Sequence, residues 1–141
     1  MGYLKLLRIT YATLQDSYAQ STPYISNNAS YYAYRTIWAI VFFHGLGGFV
    51  LVVLIRGQIP QVSREALVYT LAGLAVASEL WIRLWVLRDS AQRAVRDLIS
   101  RESAAEAAAR RRQVAVFKWA SLCAFLLVMF TFWALRHAFG R

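Results

Sequence analysis

The chain has 141 residues, 59% hydrophobic and 16% charged, with a formal net charge of +9 and a mean hydropathy of +0.41. That is room for one domain with more apolar surface than a water-soluble fold of this size buries, so the excess points to lipid as its solvent. Cys123 is the only cysteine, which excludes an intramolecular disulfide and argues against a thiolate metal site; it reads as a small apolar packing residue.

From the amino terminus, Leu4, Leu7, Tyr11, Leu14 and Tyr18 recur at steps of three and four, with Lys5, Arg8, Gln15 and Asp16 elsewhere on the wheel. The spacing predicts an amphipathic helix lying in the membrane interface, with docking on a partner helix as the alternative. Residues 1–33 form this segment, and residues 34–141 form the membrane domain. Thr22, Pro23, Asn27, Asn28 and Ser30 break the periodicity and mark a short connection. The late start of the first apolar block, without a small-residue cleavage pattern after it, gives the expectation that no leader is removed.

Three apolar blocks follow, at residues 36–55, 66–87 and 114–135. Each is near the roughly 20 residues that cross a hydrocarbon core, and none alternates with the period of a barrel strand. The expected fold is therefore all-α: a polytopic integral membrane protein with three transmembrane helices. Tyr31, Tyr32, Tyr34 and Trp38 at the entry of the first span and Trp81 and Trp85 at the exit of the second suit an inner aromatic belt, with Trp133 at the outer end of the third. Residues 57–63, with Pro60, read as a tight outer turn, and Ser63 as a cap for the second span.

Residues 88–113 carry Arg88, Arg93, Arg96, Arg101, Arg110, Arg111 and Arg112. Positive loops are retained on the cytoplasmic side, so the amino terminus and this loop are expected inside and the carboxy terminus outside, in a bacterial inner membrane. Its Ala, Arg, Leu, Glu and Gln content predicts a helical hairpin continuing spans two and three, with Asp89–Arg93 and Asp97–Arg101 as acid-to-base pairs. Ser103-Ala104-Ala105-Glu106 is a capping-box pattern that places the turn near residues 100–103.

Ionisable groups within spans are costly, which singles out His44, Glu79 and Arg83. Glu79 and Arg83 have the spacing and order of an intrahelical ion pair. His44 and Glu79 both fall roughly 12 Å from the inner ends of their spans, so the three are expected to form one intramembrane cluster. Pinning two helices together is the favoured role, with an ion path as the alternative. A bis-histidine haem site fails on depth, because His137 falls at the opposite surface. Gly45-Leu46-Gly47-Gly48 lies inside an apolar span with no preceding strand, and with Gly73 and Ala77, and Ala120 and Ala124, it reads as helix-contact surface.

No catalytic motif and no cofactor set is present in the sequence, so the expected class is a non-enzymatic subunit of a larger membrane complex of secretion, conjugative-transfer or respiratory type. Its partners would be membrane lipids and other membrane subunits in a hetero-oligomer. Arg93, Arg96, Arg101, Arg110, Arg111 and Arg112 are the candidate partner or lipid contacts. Nucleic acid is not expected, since no aromatics interleave with these arginines to stack bases. An immunity or exclusion protein and a holin-like pore are the alternatives.

Overall fold

The computed structural model describes residues 2–56 and 64–139, and all of the secondary structure among them is helical. In chain order the elements are α1 (Tyr3–Ala19), α2 (Pro23–Ser26), α3 (Ala29–Ile55), α4 (Arg64–Trp81) running into a π-helical turn (Ile82–Val86), α5 (Asp89–Ser100) and α6 (Ala104–Phe139). The expected turn at residues 57–63 lies outside the described residues. At about 1.5 Å per residue, α6 is roughly 54 Å long, enough to span a bilayer and project beyond it.

Two helices, Ala29–Ile55 and Ala104–Ala134, are long and apolar enough to cross a membrane; a third candidate arises only if Val68–Val86 and Asp89–Ser100 are taken together as one bent span. Within the protein, 28% of the apolar window of α3 is buried, against 11% in α6. The central helix is thus α3, against which α1, α4 and α6 all pack. The outer faces of α4 and α6 are apolar and open: Tyr69 is 77% exposed and Leu127 69%. Burial by this chain alone does not account for those surfaces.

The core lies at one end of the bundle, around α1. Leu7, Tyr11 and Leu14 of the predicted stripe are buried, and Leu4 and Tyr18 pack against the same cluster. Thr10, bordering the stripe, and Ile9, Ala12 and Thr13, on the other side of the helix, are buried too. The middle of α1 is therefore enclosed by the chain's own helices, with Ala33, Ile37, Ile82, Val86, Val95 and Val114 supplying the walls. An amphipathic stripe requires an apolar cover, and here protein provides it where the sequence reading supplied lipid.

The hairpin also differs from the expected pair of straight extensions. Only α6 runs uninterrupted; α5 is bent by 60° from residues 68–86. The break follows a π turn in which the Leu87 N–H donates to the Ile82 carbonyl at 2.9 Å, and Arg88 then adopts φ −57°, ψ 122°. Carbonyls released at a helix end need new donors, and two side chains supply them. Arg8 of α1 donates through Nε and Nη2 to the Trp85 carbonyl at 3.0 and 2.7 Å, and Gln92 Nε2 donates to the Val86 carbonyl at 2.7 Å. The capping box at the start of α6 is formed reciprocally: the Ser103 N–H and hydroxyl donate to Glu106 at 2.7 Å, and the Glu106 N–H donates to Ser103 Oγ at 3.3 Å.

Candidate functional site

Two polar constellations on the long apolar helices and one on the hairpin hold most of the ionisable residues singled out in the sequence. Arg83 Nε, on the π-helical turn, donates to Glu79 of α4 at 2.6 Å, as the spacing predicts, and the Tyr34 hydroxyl of α3 donates to the second carboxylate oxygen. Glu79 thus links α3 to α4 through a tyrosine, with Arg83 largely exposed.

His44 is placed elsewhere. Its Nδ1 lies 2.7 Å from the Tyr3 hydroxyl at the start of α1, and its ring faces Phe117 of α6 at 6.1 Å. Tyr3, Val41, His44, Gly45, Trp81 and Phe117 line one depression, whereas Tyr34 and Glu79 belong to a different groove between α3 and α4. Sequence reasoning paired His44 with Glu79 from counted depth; the Tyr34 contact places Glu79 near the start of α3, well before His44, and Tyr3 takes the position beside the imidazole. Burial pushes the Tyr3 phenol above its ordinary pKa, so it remains a neutral hydroxyl at physiological pH.

Among the glycines, Gly45 alone of Gly45, Gly47 and Gly48 sits against a neighbouring helix, where an added Cβ would meet Leu74 at 3.4 Å. Gly47, Gly48 and Gly73 have open space around them, and Ala77, Ala120, Ala124 and Cys123 face outward. The small-residue faces of α4 and α6 are therefore exposed among the described residues, and Cys123 is exposed where a core packing residue was expected.

On the hairpin the arginines divide into two groups. Arg110 Nε donates to Glu102 at 2.8 Å with both side chains mostly buried, and its Nη1 donates to Thr13 Oγ1 of α1. Thr13 in turn donates to the Ile9 carbonyl at 2.7 Å. Arg96 Nη2 donates to Gln15 Oε1 at 2.8 Å, and Gln15 Nε2 to Ser30 Oγ at 2.7 Å. These bonds clamp α1 between the hairpin and the start of α3. In contrast, Arg93, Arg101, Arg111 and Arg112 are exposed and have no ion-pair partner among the described residues. The predicted Asp89–Arg93 and Asp97–Arg101 pairs are not formed; exposed pairs of this kind gain too little to fix two long side chains.

The clamp residues Arg8, Thr13, Gln15 and Gln92 were not singled out by sequence reasoning. Polar residues on a stripe's far side usually signal solvent, and only the tertiary arrangement reveals partners for them. At Glu106, the backbone and hydroxyl hydrogen bonds from Ser103 hold the carboxyl below its ordinary pKa.

No group of three or more His, Cys, Asp or Glu side chains suited to a metal ion occurs among the described residues. His137 packs edge-on against Trp133 at 4.6 Å. No family model, curated protein or solved structure matches the chain.

Proposed function

We propose that this protein is a non-enzymatic accessory subunit of a larger membrane assembly, held in the bilayer by three spans and docking through its basic hairpin. The observation that carries this reading is the division of labour among the hairpin arginines. Arg96 and Arg110 are consumed in bracing the hairpin against α1, while Arg93, Arg101, Arg111 and Arg112 face outward without carboxylate partners. A braced scaffold with free guanidinium groups suits recognition of an acidic protein surface, because little conformational freedom is lost on docking. The open small-residue faces of α4 and α6 supply a second contact zone within the bilayer, of the kind membrane helices use to associate.

In this reading the second span is residues 66–87, ending at the π turn. The arginine-rich hairpin and the amino terminus lie in the cytoplasm, the carboxy terminus lies outside, and the membrane is a bacterial inner membrane. Helix α1 then lies along the cytoplasmic half of α3, its first turn beside His44 within the bilayer and its other end beside Ser30 and the hairpin at the headgroup level.

Replacing Arg93, Arg101, Arg111 and Arg112 together by glutamine tests the proposal. Membrane insertion and helix content should be retained while co-purification of the partner is lost. Retained assembly in the quadruple variant would sink the docking role.

A further inference from the structure

Between α3 and α4 runs a groove of about 520 Å³ lined by Tyr34, Arg35, Trp38, Ala75, Val76 and Leu80, with Tyr31 and Glu79 at its rim. Val76 and Leu80 are more than half exposed, so the apolar wall opens sideways towards whatever surrounds the helices. At one end Arg35 is held by Tyr31, whose hydroxyl accepts from Nη1 at 3.0 Å and whose ring lies 5.6 Å from the guanidinium carbon. Neither contact neutralises it. The carboxylate at the same rim, Glu79, is already matched by Arg83 at 2.6 Å and by the Tyr34 hydroxyl. Among the described residues the groove lining thus keeps one positive charge without an ion-pair partner.

Arg35 is the last charged residue before residues 36–55, which contain no Asp, Glu, Lys or Arg. If those residues cross the hydrocarbon, Arg35 lies at the depth of lipid phosphates, flanked by aromatic side chains that favour that layer. An apolar channel leading down from a positively charged, aromatic rim is complementary to one kind of molecule: an amphiphile with an acyl chain and a single negative headgroup charge.

We infer that the α3–α4 groove is a binding site for an anionic phospholipid, with Arg35 contacting the headgroup phosphate and Trp38, Ala75, Val76 and Leu80 contacting an acyl chain. This rests on the membrane placement proposed above, and it concerns a site separate from the hairpin arginines.

The test uses the full chain purified from membranes in a mild detergent, with phosphatidylglycerol or phosphatidylcholine added and bound lipid counted by native mass spectrometry. The parent protein should bind phosphatidylglycerol at least about five-fold more tightly than phosphatidylcholine, the effect of one basic residue near a headgroup. Arg35→Gln should remove that preference, whereas the Arg93, Arg101, Arg111 and Arg112 glutamine variant should keep it. Val76→Trp, which fills the groove from its open side, should lower occupancy by both lipids. Equal binding of the two lipids by the parent, or a preference that survives Arg35→Gln, overturns the site. Recovery of the chain from the soluble fraction overturns the membrane placement instead, and the two failures are distinguishable.

Discussion

The hydroxyl of Tyr3 and Nδ1 of His44 meet at 2.7 Å, joining the first turn of α1 to the middle of α3. This is the bond that fixes the amino-terminal end of α1, whose other end is tied through Gln15 to Arg96 and Ser30. Tyr3→Phe keeps the ring contacts with Trp81 and Phe117 and removes the bond alone. It should cost about 1 kcal/mol, near the average for a single hydrogen bond. His44→Ala combined with Tyr3→Phe should cost less than the two single effects added together, and additive losses in a chemical unfolding series in detergent would show that the pair does not interact.

Leu7 is 0% exposed and faces the centre of the core. Leu7→Ala should destabilise the bundle by about 2–5 kcal/mol, the range for truncating a buried leucine. It should also expose α1 to limited proteolysis. A helix lying free on the membrane surface would lose much less, so an unchanged unfolding midpoint would contradict the enclosed position of α1.

Arg110 and Arg111 are adjacent, yet the structure gives them different work. Arg110 is mostly buried with Glu102 and reaches Thr13, while Arg111 is exposed. Arg110→Gln leaves the Glu102 carboxylate without its counter-ion and should cost about 3 kcal/mol. Arg111→Gln should be close to neutral for stability, as a surface substitution usually is. Equal thermal midpoints for the two variants would remove the clamp from the account.

The depressed pKa of Glu106 has a defined consequence for pH dependence. Because the folded value lies below the unfolded one, the capping box stabilises the start of α6 fully above the unfolded pKa, and the contribution is lost as pH falls through the folded pKa. The carboxyl is solvent-exposed, so the effect is local. An NMR titration of the Glu106 side chain should give a midpoint below that of an ordinary glutamate, and Ser103→Ala should raise it part of the way, because the backbone N–H at position 103, the larger cause, is retained while the hydroxyl is lost. A midpoint unaffected by Ser103→Ala would show that the serine hydroxyl does not contribute.

The parts of this fold that depend on neighbours in sequence were legible from it. Of the three apolar blocks read as spans, two fall on helices long and apolar enough to cross a membrane and the third only if a bent pair is taken as one span, and Ser103 with Glu106 gave the start of α6, because a cap is made within one turn. Elements that depend on contacts across the chain were not. The stripe of Leu4, Leu7, Tyr11, Leu14 and Tyr18 has one appearance whether lipid or protein covers it. No proline or glycine announces the π turn at Ile82–Val86; its stability comes from Arg8 and Gln92, which satisfy the released carbonyls. The Glu79–Arg83 pair was visible because it lies within one helix, whereas the partner of His44 came from α1.

The central claim is that this chain works as part of a hetero-oligomeric membrane assembly, and it is tested most directly by purifying the tagged protein at native level in mild detergent and measuring the mass of the intact complex. The account predicts a second polypeptide in fixed stoichiometry, lost from the Arg93, Arg101, Arg111 and Arg112 glutamine variant. Recovery of the chain alone, as a monomer or as a homo-oligomer, would contradict it.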